Sequence, residues 1–307
     1  MSDIKIKSVS KSKSNQQTTN YRQHTTHTLC ALLLALCLLT FTSTTTATIR
    51  YVSPTGNNIP PYLTWEDAAN AIQDAINVCV DGDTIYVANG VYADTLVVNK
   101  AIYLIGSSMD STIIDGRGLE PRTIRFLSDG YIENFTIYGK GENFSSSVIW
   151  ADQFLEIKNC RLSDAGLGIG ILSNSSIVDK VIMTKLKRAY NTACLSGNCI
   201  SYISNCIINL NRNDAQAIFL DFRGEYSFTN NIILFTGNQN NVYSGIFIHA
   251  DRINISNNLI SGFHPNIFVH RIIDTAFVTN NILTNSRNSQ WPPAAGGDLT
   301  PKKYALS

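Results

Sequence analysis

The chain has 307 residues, only 15% of them charged, and its formal net charge is +1. This near-neutral balance gives no electrostatic reason to expect a nucleic acid or an anionic membrane surface as partner. The length allows one large domain or two small ones, and the many Gly, Asn, Ser, Thr and Ile residues favour short strands joined by turns.

The first 47 residues have the layout of a signal peptide. A polar stretch with several lysines precedes an apolar run, Leu29 to Leu39, which is too short to span a bilayer. Thr45-Thr46-Ala47 follows as the expected cleavage site. We therefore predict a signal peptide over residues 1–47 and a protein that is secreted or held at the cell surface, without stable membrane insertion after cleavage.

A short amphipathic helix is predicted next, over residues 66–80. Its apolar residues recur at helical spacing, at Ala68, Ala69, Ile72, Ala75, Ile76 and Cys79. Such a helix could cap a stack of coils, because an uncovered first coil exposes apolar surface and the edge of a sheet.

A repeat of apolar, any, Asn or Asp, any, any, apolar residues covers most of the remaining chain. Its seven units are IENFTI (132–137), IKNCRL (157–162), IVDKVI (177–182), ISNCII (203–208), FTNNII (228–233), ISNNLI (255–260) and VTNNIL (278–283). Asn tolerates the left-handed backbone region, which suits a tight turn between two strands. The third positions are Asn134, Asn159, Asp179, Asn205, Asn230, Asn257 and Asn280. Stacked at the interstrand spacing, their side chains are predicted to form a hydrogen-bonded ladder.

This repeat resembles that of the right-handed parallel β-helix proteins, the pectate-lyase-like superfamily. The segments YVSPTG (51–56), TWEDAANAIQDAINVCVDGDTIYVANGVY (64–92) and AIYLIG (101–106) strengthen the resemblance, which covers about residues 50–290. It implies an all-β fold, a right-handed single-stranded parallel β-helix solenoid with an N-terminal capping helix. At roughly 23 residues per coil, the 207 residues from Thr84 to Gln290 correspond to about nine coils. The β-helix domain is predicted over residues 48–290, followed by a C-terminal tail, 291–307.

Three strands that precede the last Asn turns align as IFLD (218–221), IFIH (246–249) and IFVH (267–270). Alternate residues of a strand point to opposite faces, so one outward row is predicted at Phe219, Phe247 and Phe268. A second outward row is predicted at Asp221, His249 and His270. By their distance from the next Asn, Trp150 and Ser196 are expected to extend the second row.

In the pectate-lyase-like family this strand face lines a polysaccharide groove, and the resemblance implies the same use here. Aromatic rings pack on the apolar faces of sugars, while charged groups bind their polar substituents. The substrate-binding candidates are Phe219, Phe247, Phe268, Trp150, Arg223 and Arg252. The predicted function is to bind or cleave an extracellular, and possibly acidic, polysaccharide.

Two kinds of catalysis remain open. A lyase needs a base and a positive charge that stabilises the enolate-like intermediate, and its candidate catalytic residues are Asp221, His249, His270 and Arg271. A Ca²⁺ ion, bound by Asp221, Glu225 and Asp251, is a possible cofactor. A glycoside hydrolase, the second possibility, needs two carboxyl groups, for which Asp221 and Asp251 are the candidates.

A third interpretation is a non-catalytic, adhesin-like surface module whose coils only present loops. The expected oligomeric state is a monomer. Five cysteines remain after the signal peptide, an odd number that does not form a disulfide framework. Cys194 and Cys199 are close enough in sequence to pair, although free and buried thiols are an equal alternative.

Overall fold

The computed structural model describes residues 46–285, except 142, 144, 173–174, 194–198, 213, 222 and 238–243, and the backbone of Tyr304–Leu306. The predicted signal peptide, apart from its last two residues, and most of the predicted tail lie outside this part of the chain. Within it, no helix is long and apolar enough to cross a bilayer.

One short helix and a series of strands make up the regular structure. The helix, α1, is Ile72–Val78. The strands in chain order are β1 (Ile49–Val52), β2 (Thr84–Val87), β3 (Gly90–Tyr92), β4 (Leu96–Val98), β5 (Ile102–Gly106), β6 (Thr112–Asp115), β7 (Arg122–Phe126), β8 (Gly130–Glu133), β9 (Thr136–Gly141), β10 (Ser147–Ala151), β11 (Leu155–Lys158), β12 (Arg161–Leu172), β13 (Ser176–Asp179), β14 (Ile182–Ala193), β15 (Ile200–Ser204), β16 (Ile207–Leu210), β17 (Gln216–Asp221), β18 (Glu225–Thr229), β19 (Ile232–Phe235), β20 (Ile246–Ser256), β21 (Leu259–Ser261), β22 (Ile267–Thr279), β23 (Ile282–Thr284) and β24 (Tyr304–Leu306).

The strands pair in parallel along three faces, so that each coil lies on the one before it. The first sheet contains β1, β2, β5, β8, β11, β13, β15, β18 and the C-terminal halves of β20 and β22. The second contains β3, β6, β9, the N-terminal halves of β12 and β14, and β16, β19, β21 and β23. The third contains β4, β7, β10, the C-terminal halves of β12 and β14, β17, and the N-terminal halves of β20 and β22.

The predicted all-β parallel solenoid is confirmed, with fewer complete coils than the nine expected. That number came from dividing residues 84–290 by a fixed coil length, whereas the turns from Asn159 to Asn280 are spaced 21 to 27 residues apart. Inward-pointing Ile, Val and Leu side chains form one continuous buried core along the stack.

The helix is shorter than the predicted range of 66–80 because its first residues pair with a strand instead. The Ala69 amide donates to the Tyr51 carbonyl at 2.9 Å, and the Ser53 amide donates to the Ala69 carbonyl at 2.8 Å. Ala69 therefore bridges β1 in an extended conformation. The residues that remain helical bury Ile72, Ala75 and Ile76, as the apolar spacing predicts.

A buried ion pair joins the first strand to the start of the first coil. The side chain of Asp83 is fully buried, and its carboxylate accepts hydrogen bonds from Arg50 Nε at 3.1 Å and Nη2 at 3.0 Å. The Thr48 and Val80 amides donate to the same carboxylate at 2.7 and 3.0 Å. Burial raises the pKa of Asp83, but the bonds from Val80, Thr48 and Arg50 outweigh it and hold that pKa below its usual value.

The predicted Asn turns adopt the left-handed conformation at six of the seven positions. Their φ angles are positive at Asn134, Asn159, Asn205, Asn230, Asn257 and Asn280. In the third unit the prediction of Asp179 is wrong by one residue. Val178 pairs with Ile203 and Asp179 with Ser204, so Lys180 takes the turn, with φ of 55°.

The turn side chains are linked at some steps of the stack. Asn159 Nδ2 donates to Asn134 Oδ1 at 2.6 Å, and Asn205 Nδ2 donates to Asp179 Oδ1 at 2.6 Å. Asn230 Nδ2 reaches Asn205 Oδ1 at 3.5 Å. The continuous ladder over all seven units thus stays a prediction.

A second set of asparagines, which the sequence analysis overlooked, stacks inside the solenoid. It occupies the position after the turn in the last three coils, at Asn231, Asn258 and Asn281. Asn231 Nδ2 donates to Asn258 Oδ1 at 3.0 Å, and Asn258 Nδ2 donates to Asn281 Oδ1 at 2.9 Å. Each Oδ1 also accepts a backbone amide of the preceding coil, so these buried amides are satisfied.

In two earlier coils the same inward position holds a cysteine. Cys160 and Cys206 are free and buried, and so is Cys79. Cys199 is disulfide-bonded. Its predicted partner, Cys194, lies outside the described residues, so the Cys194–Cys199 pairing stays a prediction.

Replacing the middle residue of the inner stack should destabilise the fold. We expect Asn258→Leu to lower the free energy of unfolding by about 2–4 kcal/mol, because it leaves buried partners above and below without hydrogen bonds. The matched control is Asn257→Gly, which changes the exposed neighbour and keeps the positive φ accessible; it should shift stability by less than about 1 kcal/mol. Urea unfolding followed by circular dichroism measures both, and equal losses would contradict the role of the inner stack.

Breaking the buried ion pair between Arg50 and Asp83 should lower the free energy of unfolding far more than breaking an exposed ion pair. We expect Asp83→Asn to cost about 3–5 kcal/mol, since it leaves a buried guanidinium without its counter-charge. Asp115→Asn, which removes the partner of the exposed Arg117, should cost less than about 1 kcal/mol.

The pH dependence of stability follows from the lowered pKa of Asp83. Its contribution is complete above the unfolded-state pKa and is lost as pH falls through the lower folded-state value. Asp83→Asn should therefore flatten the acid limb of a stability–pH curve, and an unchanged acid limb would contradict the assignment.

Candidate functional site

Three phenylalanines form a stacked row on the outer face of the third sheet. The pairing of β17, β20 and β22 places Phe219 beside Phe247 and Phe247 beside Phe268. Their ring centroids lie 4.8 and 5.5 Å apart, with interplanar angles of 19° and 21°. All three are partly exposed, while the residues on either side of each ring are buried, so the predicted alternation holds. We call these three residues the phenylalanine row.

A groove of about 440 Å³ lies along the phenylalanine row. Its polar walls come from Arg188, Gln216, Ser244 and His264, none of which was predicted. The Arg188 guanidinium lies 4.3 Å from the centroid of the Phe219 ring and donates to Gln216 Oε1 at 2.9 Å. Gln216 Nε2 in turn donates to Ser244 Oγ at 3.1 Å, so a hydrogen-bonded chain fixes the cation over the aromatic surface.

The two predicted histidines lie together beside the phenylalanine row. Their ring centroids are 5.5 Å apart, and the His270 ring stacks on Phe247 at 5.7 Å. The backbone register differs from the simple ladder, because a bulge places Arg271, rather than His270, beside His249. The bulge therefore brings Arg271 level with the histidines, and both His270 and Arg271 are exposed.

Asp221, the first member of the predicted polar row, is placed only by its backbone. It ends β17 and pairs with Ala193 of β14. Its side chain lies outside the described part of the structure, so its predicted roles stay predictions. Ser196 lies outside the described residues altogether.

The register moves Trp150 from the polar row to the phenylalanine row. Trp150 pairs with Gly170, Gly170 with Asn191, and Asn191 with Phe219. The prediction was wrong because it counted back a fixed number of residues from the Asn, although the coils differ in length. A Cβ atom at Gly170 would lie 2.6 Å from the Trp150 ring, so glycine is what leaves room for the indole.

A second cation accompanies this tryptophan. The Arg122 guanidinium lies 4.3 Å from the centroid of the Trp150 ring. The indole Nε1 donates to Asp152 Oδ1 at 2.8 Å, and Arg125 pairs with the same carboxylate at 2.9 Å. The combination of an arginine over an aromatic ring thus occurs twice along the third sheet, at Trp150 and at Phe219.

Arg252 and Arg223, the other arginines predicted to bind substrate, form ion pairs with acidic residues. Arg252 begins the half of β20 that belongs to the first sheet, where it pairs with Glu225 at 3.0 Å and with Asp274 at 2.6 Å. Arg223 pairs with Asp251 at 3.2 Å. Sequence distance suggested proximity to the phenylalanine row, but the corner after Ala250 turns Arg252 onto another face.

The same ion pairs involve two of the acidic residues that were predicted to bind Ca²⁺, Asp251 and Glu225. Asp251 accepts from Arg223 Nε and from the Gly224 amide at 2.9 Å, and Glu225 is bound by Arg252. Within the described residues no three His, Cys, Asp or Glu side chains gather as a metal site. The Asp221 side chain lies outside the described part of the structure, so a Ca²⁺ site at Asp221, Glu225 and Asp251 stays a prediction.

Solved structures with this fold act on pectin, according to their names. No protein-family model and no curated protein matches the chain. The carrot pectin methylesterase is 13% identical, with a TM-score of 0.58 over 87% of this chain and 90% of that one. A pectin methylesterase in complex with a hexasaccharide is 12% identical, with a TM-score of 0.55 over 80% and 92%. Pectate lyase Pel9A is 13% identical, with a TM-score of 0.53 over 81% and 74%. At these identities the likeness establishes the fold, and the chain shares its parallel β-helix with pectin methylesterases and a pectate lyase.

Proposed function

We propose that this protein is exported and binds an acidic extracellular polysaccharide along the third sheet. The observation that carries the proposal is the phenylalanine row, three stacked and partly exposed rings that border a groove with a fixed arginine. Contiguous apolar surface of this kind on a soluble protein usually marks a binding site. The fold relatives named above act on pectin, and one of them was solved with a bound hexasaccharide.

The shape of the groove suits an extended chain of sugars. Each ring of the phenylalanine row lies one coil above the last, so the row runs along the solenoid axis. Because the three rings stack on one another, their faces are covered along the row, and the apolar C–H groups of a sugar would pack against the exposed edges of the rings. A chain that follows the axis would meet Phe219, Phe247 and Phe268 in succession.

The charges around the row favour an acidic sugar over a neutral one. Arg188 lies over Phe219, and Arg271 is exposed beside the histidine pair. A planar guanidinium matches a carboxylate through two parallel hydrogen bonds. Arg122, over Trp150, would extend the same pattern toward the N-terminal coils.

The histidine pair is the place where catalysis would occur if the bound chain is cleaved. Imidazole is the side chain used most often as a general base near neutral pH. In a β-elimination, His270 or His249 would take the proton beside the uronic carboxylate, and the glycosidic C–O bond would break with its electron pair leaving on oxygen. Arg271 would stabilise the negative charge of the intermediate.

Binding should depend on both the aromatic ring and the cation. We expect the purified protein to be retarded in native gels that contain polygalacturonate, and Phe247→Ala to weaken this retardation about tenfold, a loss near 1.4 kcal/mol. Arg188→Gln should weaken it by a similar factor and reduce its salt dependence. Phe277→Ala, which removes an exposed ring from the first sheet, is the matched control and should bind as the wild type does.

An assay for lyase activity distinguishes an enzyme from the non-catalytic, adhesin-like alternative. We expect acidic polysaccharides to yield products with a conjugated double bond, detected by ultraviolet absorbance, and His270→Ala to reduce the rate by at least about 100-fold. The assay is run with and without added Ca²⁺. Binding with neither unsaturated product nor new reducing ends would support the non-catalytic module, whereas failure to bind any acidic polysaccharide would contradict the proposed function itself.

A further inference from the structure

The N-terminal part of the first sheet carries a second aromatic surface, away from the groove of the third sheet. We call it the aromatic face, and it consists of Tyr51, Trp65, Tyr86, Tyr103 and Tyr131. Trp65 is 48% exposed, Tyr103 is 49% exposed and Tyr86 is 37% exposed. Exposed rings scattered singly are ordinary, but these rings form two contacting groups, Tyr51–Trp65–Tyr86 and Tyr103–Tyr131, on neighbouring strands of one sheet and the loop that packs on it.

The strands hold these rings in a fixed order. Tyr51 pairs with Tyr86, and Tyr103 pairs with Tyr131 one strand further along. Ring centroids are 4.5 Å apart for Tyr51 and Trp65, 6.3 Å for Tyr51 and Tyr86, and 5.6 Å for Tyr103 and Tyr131. Because each ring contacts a neighbouring ring, less side-chain entropy remains to be lost when a ligand binds than for an isolated exposed ring.

Beside Tyr103 and Tyr131 lies a groove of about 230 Å³ that contains two acidic residues, Asp129 and Glu156. Glu133 lies on the other side of Tyr131 and accepts a hydrogen bond from its hydroxyl at 2.6 Å. The nearby cation is Lys158, which pairs with Glu156 and lies 5.5 Å from the Tyr131 ring. The carboxylates of Asp129, Glu133 and Glu156 carry three negative charges and Lys158 carries one positive charge. These four side chains therefore have a formal charge of −2.

We propose that the aromatic face is a second glycan-binding site, which takes a neutral polysaccharide. Its rings can stack on the C–H faces of sugars, and its carboxylates and phenolic oxygens can accept hydrogen bonds from sugar hydroxyls. The excess negative charge repels uronic acids and anionic lipid surfaces, so the ligand class differs from that of the groove on the third sheet. The protein would then hold an acidic and a neutral polysaccharide at once, on two faces of one solenoid.

Native gels that contain a neutral polysaccharide test this site with the purified full-length protein. Xyloglucan, mixed-linkage β-glucan, galactomannan and hydroxyethylcellulose are the probes. We expect retardation by at least one of them, and a loss of about five- to tenfold in affinity with Tyr103→Ala. Tyr103→Phe, which keeps the ring, should stay within about twofold of the wild type.

The matched control is Tyr202→Ala, because Tyr202 is an equally exposed tyrosine, at 51%, on the same sheet several coils away. It should bind the neutral glycan as the wild type does, with an unchanged melting temperature. The proposal is overturned if none of the four glycans retards the wild type, or if Tyr103→Ala binds as tightly as Tyr202→Ala. It is also overturned if the aromatic face joins two copies of the chain, which sedimentation would show as a dimer that Tyr103→Ala dissociates.

Discussion

Parallel stacking in register is the constraint on which the rest of this structure depends. Each strand pairs with the equivalent strand of the next coil, so a residue type repeated once per coil becomes a row along the solenoid axis. The left-handed turn at Asn205, Asn230 and Asn257 keeps that register, because it bends the chain sharply from the first sheet to the second at the same position in each coil. The phenylalanine row, the inner asparagine stack and the aromatic face are three results of the same geometry.

The interior of the solenoid shows how a polar residue can be kept inside such a stack. Asn231, Asn258 and Asn281 point into the core, where an amide without partners would cost several kcal/mol. Stacking supplies those partners. Asn231 donates to Asn258 and Asn258 donates to Asn281, and the Oδ1 of each of the three accepts a backbone amide of the coil before. The same position holds Cys160 and Cys206 in earlier coils, where a small apolar side chain needs no such support. The inward position therefore holds a hydrogen-bonded amide in the later coils and a small thiol in the earlier ones.

Much of the fold could be read from the sequence, because the Asn repeat and the alternation in strands such as IFIH encode it directly. The predictions that were wrong concern positions set by the length and the corners of each coil, which the sequence does not state directly. Trp150 was assigned to the wrong row because coil length varies, and Arg252 was assigned to the wrong face because a corner follows Ala250. Arg188 lies 31 residues before Phe219, so only the stacked coils bring it to the groove. Ala69 fits the apolar spacing of a helix, but it pairs with β1 and so lies outside the observed helix.

The central claim is that the phenylalanine row binds an extended acidic sugar chain, and a crystal structure with a uronic oligosaccharide tests it most directly. The expected result is that sugar rings pack against the exposed edges of Phe219, Phe247 and Phe268, with a carboxylate bound by the Arg188 guanidinium. Sugar density on a different sheet, or a phenylalanine row covered by protein in the complex, would contradict it.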